Sequence, residues 1–210
     1  MQHDSTIAVV DDNEAVRDSL AALLRSAGHK VKTFKSGQDF LAADFSTFGC
    51  AVVDILMPGP SGLEVLRHVA SSEFALPIVI VTGHGDIPLA VKALRAGAVD
   101  FIEKPYTDKA ILASVELALD IEGGKARGET SARQIRERAS KLTERERQVF
   151  EHLVSGLSNK GVAAKLGISP RTVEIHRARV MQKIQARNLA ELVRMAVASK
   201  LDLGTGSEPL

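Results

Sequence analysis

The 210-residue sequence predicts an α/β fold, a doubly wound parallel sheet of five strands, followed by a small all-α helix-turn-helix domain. Three observations predict it. Short apolar runs recur through the first 120 residues, each ending in polar residues and followed by a helical stretch. Glycines and mixed charges interrupt that pattern at 122–140. From residue 141 only helical periodicity remains, with a capping residue before the first three helices.

Residues 7–10 are continuously apolar and end in Asp11-Asp12, as expected of a strand buried on both faces. Asn13 suits the N-cap of a helix with Val16, Leu20, Leu23, Leu24 and Ala27 on one face and Gly28 as terminator. A short strand at 31–34 and a short helix at 37–43 come next. The apolar strand 50–53 ends at Asp54, and a helix starts near Gly62. Strand 77–81 ends at Thr82-Gly83. Asp86 can cap the following helix, with Pro88 in its first turn and Gly97 just past its end. The last strand, 99–102, is closed by Lys104-Pro105, and a helix runs on from about Thr107. Short connections between alternating strands and helices imply right-handed crossovers with helices on both faces. Ligands of such sheets sit beyond the carboxyl ends of the strands. Asp11, Asp12, Asp54, Thr82 and Lys104 all lie there.

The expected division is an α/β domain over 1–121, a partly helical linker over 122–140, a helix-turn-helix domain over 141–203 and a tail over 204–210. The formal net charge of +1 conceals an asymmetry: residues 1–120 carry −6 and residues 141–200 carry +7. An acidic module joined to a nucleic-acid module fits this, as do two solvated surfaces of different character. No apolar run approaches the roughly 20 residues that span a bilayer. The N-terminus lacks the regions of a signal peptide, and the single cysteine, Cys50, forms no intrachain disulfide; a cytoplasmic location is expected.

Carboxylates gathered at one edge repel one another unless a cation joins them, and with oxygen ligands only the natural ion is Mg²⁺. Asp54 can attack a phosphoryl group to give an acyl phosphate. Lys104 supplies a fixed positive charge, and Thr82 a hydroxyl for the new phosphate. A cis peptide at Pro105 would point the lysine inward. Singly, each residue is also an ordinary strand-terminal turn residue.

Asp11-Asp12, Asp54 followed by Met57-Pro58-Gly59 and Gly62, Thr82-Gly83, and the run 101–105 resemble the motifs of response-regulator receiver domains. The resemblance covers about residues 5–120. It implies a flavodoxin-like strand order 2-1-3-4-5 and phosphoryl transfer to Asp54 from a sensor histidine kinase. It implies Mg²⁺ held by Asp12, Asp54 and the Leu56 carbonyl, with Asp11 acting through water. Thr82 and Phe101 are implied as a switch pair that reshapes the face around 86–106. Leu56 departs from the many relatives with a polar residue there, and a long-lived acyl phosphate is expected.

Thr143 and Glu146 make a capping box for the first helix of the C-terminal part. Ser158 caps a short second helix, Gly167-Ile168 turns the chain, and Ser169-Pro170 opens a third. On that helix Val173, Val180 and Ile184 share one face, flanked by His176 and Met181. Arg171, Ile175, Ala178, Arg179 and Gln182 lie opposite, a basic surface with small apolar groups that suits a major groove. Arg177 falls nearer the core side, as an ion-pair or phosphate residue. The stretches 157–160 and 169–174 resemble the LuxR/NarL-type DNA-binding domain. That resemblance implies phosphate contacts from Asn159, Lys160, Thr172, His176 and Lys183, and base readout around Glu174, Ile175 and Ala178. Glu174 either accepts from a cytosine amino group or stabilises the helix start. Leu192, Val193 and Ala196 of the final helix are available for a two-fold contact, complete the small core, or do both.

The resulting expectation is a phosphorylation-controlled transcription activator that dimerises when phosphorylated, binds double-stranded promoter DNA and engages RNA polymerase. Two rivals stand beside it. An α/β phosphatase would share the aspartate and Mg²⁺, and a helix-turn-helix that binds protein would lack steep salt dependence.

Overall fold

A computed structural model of the chain describes residues 6–72, 74, 76–83, 87–122 and 132–199. The chain divides into two compact units, one of Met1–Gly85 with Ala96–Ala126, the other of Asp86–Arg95 with Arg127–Leu210.

The first unit is built on parallel strands β1 (Thr6–Val10), β2 (Lys30–Phe34), β3 (Phe48–Asp54), β4 (Ile78–Thr82) and β5 (Asp100–Glu103). Their order is β2-β1-β3-β4-β5, as the sequence led us to expect. The three inner strands are buried along almost their whole length, so their sequences read as continuous apolar runs. At one edge β2 alternates, and its exposed Lys30 and Lys32 keep that edge charged. β3 begins two residues before the apolar run, because the buried Phe48 packs edge-on to Phe34 beside Phe40.

α1 (Glu14–Ser26) starts where the Asn13 side chain accepts from the Val16 N–H at 3.2 Å. It ends just before Gly28, whose φ of +91° is the left-handed conformation that terminates helices. α2 (Gly37–Leu41) is two residues shorter than expected, and a 3-10 turn at Phe45–Thr47 leads into β3. α3 (Gly62–Ala70) opens with a capping box of Ser61 and Glu64 that the sequence reading lacked. α5 (Asp108–Glu122) joins α1 on one face of the sheet, where Leu20, Leu24, Ile111, Val115 and Leu119 pack on Ile7, Val9, Val52 and Val79.

The second unit comprises α4 (Ile87–Arg95), α6 (Ala132–Ala139), α7 (Glu144–Val154), α8 (Asn159–Leu166), α9 (Pro170–Ile184) and α10 (Leu189–Ala198). The expected Asp86 cap of α4 lies outside the described residues, as do the first part of the linker and the tail. The expected helix in the second half of the linker is α6. Its Ile135 and Ala139 are buried, and Ala139 and Leu142 join Phe150, Val154, Val180, Ile184, Leu192 and Ala196 in one apolar cluster. Of the two readings of α10, the structure supports the core: Leu192 and Ala196 lie in that cluster, and Val193 is fully buried. These three side chains are not a free two-fold surface.

Candidate functional site

The carboxyl ends of β1, β3 and β5 bring three charged side chains together. Lys104 Nζ donates to Asp11 Oδ2 at 2.7 Å and to Asp54 Oδ1 at 2.6 Å. Each carboxylate also accepts a backbone N–H, Asp11 Oδ1 from Asn13 at 2.9 Å and Asp54 Oδ2 from Leu56 at 2.7 Å. The Lys104–Pro105 peptide is cis, and the Lys104 N–H donates to the Thr82 carbonyl at 2.7 Å. Gly62 lies against the end of β3: a Cβ there would meet the Asp54 carbonyl oxygen at 2.4 Å and Ile55 Cα at 2.8 Å.

Burial pushes the Asp54 carboxyl above its ordinary range, against the opposing pull of the Lys104 ammonium and the Leu56 N–H. Burial also weakens the Lys104 ammonium, but its hydrogen bonds to Asp11 and Asp54 outweigh this and hold its pKa above the usual value. Thr82 is fully buried at the end of β4, and Phe101 is half-buried in β5. Half-buried Tyr106 packs against the core; burial raises its phenol pKa, Lys104 opposes that, and Asp11 and Asp54 add to it.

The structure brings two of the three aspartates together. Asp11 and Asp54 are buried and meet through Lys104, whereas Asp12 is exposed. Among the described residues no three acidic, His or Cys side chains are gathered closely enough to hold a metal. The ammonium between the two buried carboxylates offsets part of their mutual repulsion. The donor set still fits a hard divalent cation. Its atoms are oxygens, and one negative charge remains after Lys104 is counted against Asp11 and Asp54.

In the C-terminal part, Ser169 caps α9 by accepting from the Thr172 N–H at 3.1 Å, with Pro170 in the first turn. Val173, Val180 and Ile184 are fully buried, and Arg171, Glu174, Ile175, Ala178 and Arg179 are exposed. Ile175 is 49% exposed although it is large and apolar. Asn159, Glu174 and Ala178 line an open cavity of about 510 Å³ together with Arg177 and Arg187. Asn159 Oδ1 and His176 Nδ1 are buried with no hydrogen-bond partner, while Lys160 is exposed and Thr172 half-buried. Lys183 is tied within the protein. Its Nζ donates to Glu146 Oε2 at 2.6 Å and to the Lys141 carbonyl at 3.2 Å. That bond is the main reason the Glu146 carboxyl is lowered to about 2, with the Thr143 N–H adding to it. The sequence reading saw Glu146 only as a cap, because its ion pair joins residues 37 positions apart.

A parallel α/β unit with a lysine-bridged pair of acids at its strand ends, followed in one chain by a capped helix-turn-helix, defines a response regulator that acts on transcription. The chain belongs to this family: residues 7–116 match the response regulator receiver domain, and residues 140–196 match the luxR family of bacterial regulatory proteins. It is a FixJ-like, two-component transcription regulator. It is 49% identical over 192 residues to the transcriptional regulatory protein FixJ of Bradyrhizobium diazoefficiens, covering 91% of this chain and 94% of that one. To FixJ of Rhizobium meliloti it is 47% identical, covering 93% and 96%. Among solved structures, full-length FixJ from B. japonicum is 46% identical, with a TM-score of 0.54 over 95% of this chain and 99% of that one. No helix among the described residues is long and apolar enough to cross a membrane.

Proposed function

We propose that the chain is a cytoplasmic transcription activator switched by phosphorylation of Asp54, with residues 1–121 as the receiver and 141–203 as the DNA reader. The observation that carries this is the buried Asp54 carboxylate, held 2.6 Å from a lysine at the open end of the central strand. An Asp54 oxygen forms the new P–O bond as the P–N bond to a histidine kinase imidazole breaks, and the imidazole nitrogen recovers a proton. Asp12, Asp54 and the Leu56 carbonyl, with Asp11 through water, would hold Mg²⁺, which would supply charge neutralisation for the incoming phosphoryl group. Lys104 adds a second cation, and the Thr82 hydroxyl bonds the phosphate once it exists.

Thr82 and Phe101 then bias the 86–106 face toward a homodimer. Two copies of α9 read a two-fold-related promoter site through Arg171, Glu174, Ile175, Ala178 and Arg179. Asn159, Lys160, Thr172 and His176 hold the backbone, and the bound dimer engages RNA polymerase. The test compares wild type with Asp54→Asn by light scattering and DNA binding, with and without acetyl phosphate and Mg²⁺. Wild type alone should dimerise and tighten on DNA; an equal response from both proteins overturns the switch. Steady release of phosphate from small-molecule esters would favour the phosphatase reading instead. DNA binding that ignores salt would favour a protein partner.

A further inference from the structure

We propose that α6, the helix preceding the DNA reader, fixes the position of the recognition helix α9, with Arg138 as the positioning residue. This rests on the reading of α9 as the element that contacts DNA. The last carbonyls of an α-helix have no partner within the helix. At the end of α9, the Ile184 carbonyl accepts from Arg138 Nη1 at 3.2 Å. One residue earlier, Lys183 Nζ donates back to the Lys141 carbonyl at 3.2 Å and to Glu146 at 2.6 Å. Residues 138–146 and 183–184 therefore hold each other in both directions. Cations at a helix C-terminus also complement its dipole. Beneath these bonds Ala139 and Leu142 pack with Val180 and Ile184, so the polar tie closes over an apolar seam.

The base-facing residues lie toward the opposite end of α9. A helix of 15 residues is a stiff rod about 22 Å long, so a tilt at its anchored end displaces the reading end. Base contacts tolerate only about 0.5 Å of misplacement. Backbone phosphate contacts carry no sequence information, so a loosened anchor should reduce discrimination rather than general attraction. α6 also provides an internal control. Arg136 Nη1 makes the same kind of bond to the Ser199 carbonyl at 3.0 Å, at the end of α10, which presents no base-reading residue.

The experiment uses the full chain with acetyl phosphate and Mg²⁺. The probes are a duplex that wild type enriches from a randomised pool and a shuffled duplex of equal composition. Arg138→Gln should lower the affinity ratio of enriched to shuffled duplex about tenfold, the size of one lost base contact. The slope of affinity against salt on the shuffled duplex should stay as in wild type. Lys183→Gln should lower the ratio in the same way, Arg138→Lys should recover part of it, and Arg136→Gln should leave it within about twofold. An unchanged ratio in both Arg138→Gln and Lys183→Gln overturns the proposal. So does an equal loss in Arg136→Gln, or a shallower salt slope in Arg138→Gln, which would make Arg138 a phosphate contact. A wild type that enriches no duplex overturns the DNA reading itself, and the role of α6 with it.

Discussion

Lys104 and Asp54 stand 50 positions apart in sequence, yet Lys104 Nζ lies 2.6 Å from Asp54 Oδ1, and the same nitrogen holds Asp11 at 2.7 Å. One cation thus serves two buried acids. Removing it leaves adjacent carboxylates with no compensating charge, which destabilises more than loss of an exposed ion pair. Lys104→Met should lower the unfolding free energy at neutral pH by about 2 kcal/mol in EDTA, as one side chain of the pair is partly exposed. Millimolar Mg²⁺ should recover part of that loss by binding the folded state. Urea unfolding with and without Mg²⁺ checks both; equal losses would show that the ion does not approach these acids.

Gly62 is required by contact rather than by backbone angle. A methyl group at this position would press on the Asp54 carbonyl from 2.4 Å, and backbone there has little room to yield. Gly62→Ala should lower stability by about 2 kcal/mol, as overpacking does. It should slow phosphoryl uptake from acetyl phosphate in the fraction that remains folded. Thermal unfolding and a phosphate-affinity gel measure the two effects.

Leu56 donates its N–H to Asp54 Oδ2 at 2.7 Å while the residue itself is 55% exposed. An apolar group there offers an incoming water no hydrogen bond. Leu56→Asn should shorten the acyl phosphate lifetime several-fold, read by decay of the phosphorylated band after donor removal. An unchanged lifetime would count against this role.

Glu146 has a folded-state pKa of about 2 against its usual 4.5, so its contribution to stability is complete above about 4.5 and fades as pH falls toward 2. Glu146→Gln keeps a side chain of similar shape but removes the charge-assisted bond to Lys183. At pH 7 it should cost about 2 kcal/mol, in the range for hydrogen bonds to charged groups. The gap between variant and wild type should narrow between pH 4.5 and 2. Calorimetric melting temperatures across that range provide the measurement.

The strands and the edge that carries Asp11, Asp54, Thr82 and Lys104 were legible because continuous apolar runs end in polar residues, whereas their order rested on the resemblance to receiver domains. Helix starts were legible wherever Asn13, Thr143, Ser158 or Ser169 supplied a cap. What escaped was pairing at a distance. Nothing in sequence spacing shows that Lys104 bridges two of the aspartates and leaves Asp12 exposed, or that Lys183 turns inward to Glu146. Segment 132–139 also reads as polar and therefore as linker, since Ile135 and Ala139 are too few apolar residues to announce a core-facing helix.

Tyr106 is the chain's single tyrosine, and there is no tryptophan. Near-ultraviolet emission from the whole molecule therefore originates almost entirely at one ring, two residues beyond Lys104 and within the electrostatic reach of Asp11 and Asp54. The molecule carries its own optical reporter. If a divalent ion or a phosphoryl group binds at the strand ends as proposed, stopped-flow fluorescence of the unlabelled chain should report its arrival.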